Sequence, residues 1–274
     1  MLAFLFSFIT WSAKPEIFEI NLGGVPFAMR WYGLLFASGF ATGFYIMAKV
    51  FAIEKKPEKD LDSLFFYMIV AVVLGARLGH CLFYEPDYFL SHPIEILYVW
   101  QGGLASHGAL FTILPTLYFY SRSRPNQPFL WVADRISLTI PLGGAFIRLG
   151  NLMNSEIIGK PTDLSWGFIF TSVDQTPRHP AQLYEAISCL LLFGFLIWWY
   201  SKRKGETPHG QILGLLLAIL FTLRFFYEFL KENQVDFESK LPLNMGQNLS
   251  IPAVLLGIYL IYSAKLPQKT QKAA

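Results

Sequence analysis

Seven stretches of apolar sequence, each close to the length needed to cross a bilayer, constrain this chain more than anything else in it. A helix crosses the hydrocarbon core with about 20 apolar residues. The candidate spans are 31–51, 61–84, 103–120, 131–152, 181–200, 210–230 and 249–264. Only 15% of the chain is charged against about 25% in soluble domains, and the mean hydropathy is +0.42, so lipid is the solvent. The expected class is an all-α polytopic membrane protein of about seven transmembrane helices with a small outer cap containing short strands. The fourth span holds Asp134, Arg135, Pro141, Gly143, Gly144 and Arg148. It is expected to be kinked or partly shielded by protein.

The chain shows no internal repeat, low-complexity run or long linker, so residues 1–274 read as a single integral membrane domain. The net charge is only +3 and the basic residues sit in separate short loops, which excludes nucleic acid as a partner. Cys81 and Cys189 lie in apolar runs and read as small core hydrophobes. No CxxC or Cys/His spacing is present, so neither a disulfide framework nor a metal site is expected. Residues 1–11 are apolar without a basic flank and read as a retained interfacial helix.

Lysine and arginine are distributed unevenly between loops. One side carries Lys49, Lys55, Lys56, Lys59, Arg122, Arg124, Arg135, Lys202, Arg203, Lys204, Lys265, Lys269 and Lys272. The other carries Lys14, Arg30, Lys160, Arg178, Lys231 and Lys240. The positive-inside rule then places the N-terminus outside and the C-terminus in the cytoplasm. On the outer side, 17–21 and 25–29 around Gly23-Gly24 read as a hairpin, and 164–171 as a strand before a turn at Pro177. The outer cap is expected at about 14–30 and 153–180.

Arg77, Arg148 and Arg224 remain inside spans, each in the outer third of its helix. Intramembrane charge is costly and marks function by default. Glu228 follows Arg224 by four residues and Asn151 follows Arg148 by three, each pair on one helix face. The outer ends of the remaining spans bring Tyr32, His107, Gln182, Tyr184 and Glu185 to the same level. Snorkelling and helix-packing polar contacts are the competing accounts, the second for Gln182 and Tyr184. Small residues surround Arg77 (Gly75-Ala76-Arg77-Leu78-Gly79) and His107 (Ala105-Ser106-His107-Gly108), letting a helix or a ligand approach. Arginine binds phosphate bidentately and keeps its charge in low dielectric. The layer therefore fits an outward-facing anion or phospholipid site. Two classes remain open: a transferase acting on a phospholipid, and a phospholipid or small-anion transporter without covalent chemistry. Transporters usually carry paired repeats and bind at the midplane.

The segment Arg148-Leu-Gly-Asn151-Leu-Met-Asn-Ser155-Glu156-Ile-Ile-Gly159 resembles the signature of the bacterial prolipoprotein diacylglyceryl transferases. Further stretches fit the same family, in its order and over almost the whole chain: Arg30-Trp-Tyr32-Gly-Leu, Gly102-Gly-Leu-Ala-Ser-His107-Gly, Arg178-His-Pro-Ala-Gln-Leu-Tyr-Glu185, Arg224-Phe-Phe-Tyr-Glu228-Phe and Met245-Gly-Gln247-Asn-Leu-Ser250. The chain departs from the family's pattern at Ala109, Ser155 and Ile147, where glycine is usual.

The resemblance implies a multi-pass protein of the bacterial inner membrane. It implies transfer of a diacylglyceryl group from phosphatidylglycerol to the lipobox cysteine thiol of a preprolipoprotein signal peptide, giving a thioether and glycerol phosphate. Phosphatidylglycerol, other membrane lipid and the signal peptide are the implied partners, with no cofactor and no metal. On this reading His107 takes the thiol proton, while Arg148 and Arg224 bind the lipid phosphate. Glu228 and Glu156 hold those arginines, and Tyr32 and Asn151 bond the headgroup. Gly159 closes the binding segment, and Arg77 is the weakest candidate, with a structural role open to it.

Overall fold

The computed structural model describes residues 8–22, 25–99, 103, 105–203, 205–232 and 242–264, without the side chains of residues 22, 25–27, 106 and 107. The chain divides into two compact units, Met1–Ile46 with Ile136–Ala274, and Met47–Arg135.

The first unit begins with strands. β1 (Ile9–Trp11) pairs in parallel with β4 (Phe168–Phe170), which pairs antiparallel with β5 (Pro177–Arg178). This corrects the expected N-terminal helix over its described part; residues 1–7 of that expectation lie outside the described residues. The reason is a distant partner. Ile9 N–H donates to Gly167 O at 2.9 Å and Thr171 N–H to Trp11 O at 3.1 Å. The Trp11 ring joins Leu149, Ile158 and Leu183 around the buried Leu152, Phe168 and Phe170. The strand expected at 164–171 contracts to β4, and Pro177 lies in an edge strand rather than a turn. A proline is tolerated at an edge, where its missing N–H is not needed, and its carbonyl still accepts from Thr162 N–H at 2.9 Å.

β2 (Glu16–Leu22) and β3 (Val25–Arg30) form the expected antiparallel hairpin, with Glu19 opposite Ala28. Its Gly23-Gly24 turn lies outside the described residues. α1 (Trp31–Ile53) follows directly and runs on past Ile46 into the second unit; α6 (Ile140–Met153), α7 (Ala181–Lys202), α8 (Gln211–Tyr227) and α9 (Met245–Ser263) are the first unit's other helices among the described residues. α6 packs on α7, α7 on α8, and α8 on α9.

In the second unit, α2 (Glu58–Phe83) packs on α4 (Ser106–Arg122). Between them lie α3 (Pro86–Ser91) and a 3-10 turn, Pro93–Leu97. α5 (Phe129–Ser137) carries Arg135, which is 1% exposed and bonds Glu54 through Nε at 2.8 Å and Nη2 at 3.1 Å. Trp131 Nε1 donates to the same carboxylate at 2.7 Å.

Among the described residues four helices are long and apolar enough to cross a membrane: α1, α2, α7 and α9. The bent pair α5 and α6 makes five if it is counted as one span. That break falls in the stretch expected to kink. Pro141 stands in the first turn of α6, where it cannot donate to the preceding turn. α8 and α4 have 17 residues each. At 1.5 Å per residue that length falls a few Å short of a hydrocarbon core of about 30 Å.

Candidate functional site

The charged residues of the first unit gather where α6, α7 and α8 end or begin. α6 carries Arg148 and Asn151 and stops at Asn154, beyond which Ser155 and Ile157 both adopt φ of 53°. That left-handed turn reverses the chain. α7 starts just after Pro180 and presents Gln182 and Glu185 on its buried face. α8 carries Arg224 and is capped by Glu228. α9 begins at the N-cap Asn244, in a reciprocal capping box with Gln247.

These ends are joined by one chain of charges. Arg148 Nε meets Glu185 Oε2 at 2.7 Å. Glu185 Oε1 meets Lys231 Nζ at 2.8 Å, and the same ammonium meets Glu228 Oε1 at 2.8 Å. Glu228 Oε1 lies 3.5 Å from Arg224 Nε. Asn244 Nδ2 donates to Glu228 Oε2 at 3.1 Å, so the cap of α9 fixes the second oxygen of that carboxylate. Buried charges of this kind persist only where paired; Glu185 Oε1 and Arg224 Nε are paired here by charge and make no hydrogen bond among the described residues.

The two arginines differ from Lys231 in exposure. Lys231 is 2% exposed, whereas the side chains of Arg148 and Arg224 are 21% and 40% exposed. Arg148 Nη1 donates to Asn151 Oδ1 at 3.2 Å, and Asn151 Nδ2 donates to Glu156 Oε2 at 3.1 Å. Asn151 thus orients the guanidinium and is itself oriented. Tyr32, at the start of α1, lies within the fields of both Glu156 and Arg148. A Cβ at Gly150 would stand 2.7 Å from the Tyr32 ring, so this glycine lets α1 and α6 close up and brings the phenol beside Arg148.

The segment after the α6 turn is tied to two other stretches. Gly159 N–H donates to His179 O at 3.0 Å, and Gly159 forms an antiparallel bridge with Lys231. Lys160 N–H donates to Leu230 O at 2.8 Å. A Cβ at Gly159 would stand 2.5 Å from His179 and 2.9 Å from Leu230 O, which only glycine avoids. Arg178 fastens this segment further through Asp174 at 2.6 Å and Glu232 at 2.7 Å. The Arg178 guanidinium holds the Asp174 carboxyl below its ordinary value, and partial burial lowers that of His179.

Of the residues singled out from the sequence, Arg148, Asn151, Glu156, Tyr32, Arg224, Glu228 and Gly159 all fall in this unit. One pairing is corrected. Glu185, not Glu156, is the carboxylate on Arg148; Glu156 takes Asn151 and Asn154 instead. Glu228 does face Arg224, but its closer cation is Lys231. In sequence Lys231 groups with the loop charges, and its place just past a helix end carries no sign of burial. The three-residue spacing from Glu228 was the available signal.

Arg77 and His107 belong to the second unit. Arg77 is 3% exposed; its Nη2 donates to Glu95 O at 2.7 Å, its Nε to Ile96 O at 3.1 Å and its Nη1 to Gly103 O at 3.4 Å. Its guanidinium also stacks 4.9 Å from the Phe89 ring. His107 is the second residue of α4, and its side chain lies outside the described residues. Among the described residues no cluster of three or more His, Cys, Asp or Glu could hold a metal ion.

Comparison with known proteins bears on what this charged chain serves. The model of the prolipoprotein diacylglyceryl transferase family matches residues 15–263. The phosphatidylglycerol–prolipoprotein diacylglyceryl transferase of Chloroherpeton thalassium is 53% identical over 268 residues, 98% of each chain. Its namesake from Tolumonas auensis is 44% identical over 93% of this chain and 97% of its own. That of Bacteroides fragilis is 45% identical over 93% and 94%.

Proposed function

The chain belongs to the prolipoprotein diacylglyceryl transferase family, and we propose on that footing that it moves a diacylglyceryl group from phosphatidylglycerol to the lipobox cysteine of a prolipoprotein signal peptide. The observation that carries the reading is the pair of partly exposed arginines, Arg148 and Arg224, held in one chain of ion pairs.

The reaction needs little more. The cysteine sulfur attacks the glyceryl carbon that bears the phosphate. A C–S bond forms, the C–O bond breaks, and glycerol phosphate leaves with the electron pair. A thiolate is the competent nucleophile, and a free cysteine has a pKa of about 8.5, so the thiol proton must be removed. His107 is the proposed acceptor, directly or through water. Arg148 and Arg224 bind the phosphodiester and stabilise charge growing on the leaving oxygen, which becomes a dianionic monoester. Tyr32 bonds the headgroup, while Asn151, held by Glu156, orients Arg148 toward it. Neither enzyme cysteine takes part; both are buried.

The same reading puts the chain in the bacterial inner membrane as one integral domain of seven spans, with α4 and α8 as short spans and α5 with α6 as a broken one. The lysine and arginine asymmetry supports an outer N-terminus and a cytoplasmic C-terminus. The charged chain then faces the outer leaflet, where the phosphatidylglycerol headgroup lies. Purified protein, phosphatidylglycerol vesicles and a lipobox peptide provide the test. The peptide should gain the mass of one diacylglyceryl group, detected by mass spectrometry. An unmodified peptide, with lipid merely redistributed between leaflets, would sink the transferase reading and favour transport.

A further inference from the structure

We infer that Lys231 is a positioning residue for this reaction: its ammonium ties Glu185 to Glu228 and thereby holds Arg148 and Arg224 as one phosphate cradle. The inference rests on the reading of the site as one that binds phosphatidylglycerol.

Lys231 does not itself reach a ligand. At 2% exposure, its ammonium is occupied by Glu185 Oε1 and Glu228 Oε1, both at 2.8 Å. Each of those carboxylates faces one of the partly exposed arginines. The lysine therefore sits at the middle of a symmetric sequence of charges, arginine, glutamate, lysine, glutamate, arginine. Along this row three cations outnumber two anions, which favours an anionic ligand at the two arginines.

Its backbone is fixed independently of its side chain. Beside the bridge to Gly159, Lys160 N–H donates to Leu230 O at 2.8 Å and Glu232 N–H to Ile158 O at 3.3 Å, which clamps the chain on either side of Lys231. Glu232, the next residue, is held by Arg178. The glycine that the signature segment places at 159 thus acts at a distance. It permits the close backbone approach that sets the ammonium between the two carboxylates.

Removing the ammonium changes what the arginines do. Glu185 and Glu228 would each lose a buried cation and lean on the guanidinium that remains. The donors and the field meant for phosphate would be spent on carboxylate, and the excess positive charge would vanish. The cost should appear in binding of the anionic lipid and not in binding of the peptide. A merely structural lysine would move both together, or neither.

The test measures KM for phosphatidylglycerol and for the lipobox peptide separately in the full-length protein, with the parent run in the same assay. Lys231→Met should raise the KM for phosphatidylglycerol about tenfold or more while leaving that for the peptide within about twofold. Lys231→Arg, which keeps the charge, should return the lipid KM to within a few-fold of the parent. Should Lys231→Met fail to accumulate in the membrane, Lys231→Gln carries the test. It keeps a hydrogen-bond donor, loses the charge, and should shift the lipid KM in the same direction. A parent-like lipid KM in either neutral variant, or an equal rise in both KM values, overturns the role of Lys231. Absence of transfer by the parent overturns instead the reading of the site on which that role rests.

Discussion

Arg77 and Arg148 both lie in helices among small side chains, and the two compact units employ them differently. In the second unit the Arg77 donors are spent on backbone carbonyls of Glu95 and Ile96, in the 3-10 turn after α3, and of Gly103. The side chain acts as a bolt that fixes an irregular segment, and at 3% exposure it offers nothing outward. Arg135, in the same unit, is bound to Glu54 and is equally inaccessible. In the first unit, Arg148 and Arg224 are held from behind by carboxylates and keep an exposed side. An arginine in an apolar protein is thus not a functional mark by charge alone. What separates the two uses is whether the guanidinium is consumed by the protein or presented by it.

Removing a presented arginine should cost the most activity. Arg148→Ala should lower transfer by about a hundredfold to a thousandfold, the usual cost of losing one donor to a developing oxyanion. The protein should still insert and keep its detergent-solubilised unfolding temperature within a few degrees. Mass spectrometry of the peptide reads the first quantity and a thermal melt the second. Normal turnover by Arg148→Ala would remove the arginine from the proposed mechanism. Next in size, His107→Gln should slow transfer about a hundredfold if the imidazole takes the thiol proton. Turnover equal to the parent would mean that the arginine field alone activates the thiol.

Arg77→Ala tests the other side of the contrast. It leaves half-buried carbonyls of Glu95, Ile96 and Gly103 without that donor, at up to about 1–3 kcal/mol each, so it should destabilise the protein measurably in thermal or denaturant melts. Transfer per folded molecule should remain close to that of the parent. A variant that is stable but inactive would place Arg77 with the presented arginines after all.

Much of this contrast was hidden from the sequence. Helix periodicity and loop charge were enough to find the apolar helices, the hairpin and the break near Pro141, because these depend on neighbours a few residues away. They also found Arg148, Arg224, Glu228 and Asn151. They could not assign partners across the fold. Glu156 stands closer in sequence to Arg148 than Glu185 does, yet the turn through Ser155 directs it to the asparagines. Lys231 looked like an ordinary loop cation because its burial is produced by chain segments around residues 159 and 185. Ile9–Trp11 read as helix because its pairing partner, β4, is remote in sequence.

Ser155 sharpens the same point at smaller scale. The resemblance leads one to expect glycine there, and the backbone explains why, since φ is 53°. A side chain in this region costs about 1 kcal/mol relative to glycine. Ser155→Gly should therefore stabilise the protein by about that amount without changing the lipid KM. A loss of stability would mean that the hydroxyl makes up for the strain.

The mildest response is expected where Arg178 is held by Asp174 and Glu232. Asp174 is ionised more readily in the folded protein than in the unfolded chain, because Arg178 and the Thr176 backbone N–H bond its carboxylate. A depressed folded-state pKa contributes stability above the unfolded value of about 4, and that contribution disappears as pH falls through the depressed value. Asp174→Asn should therefore melt below the parent at neutral pH, and the gap should close as the pH is taken from about 5 down to 2. Because this pair lies at the solvent-facing rim, salt should narrow the neutral-pH gap. The ion pairs around the buried Lys231 should respond far less to salt. Equal salt sensitivity at both places would mean that the inner chain is as open to water as the rim, and that Lys231 cannot hold the two arginines as described.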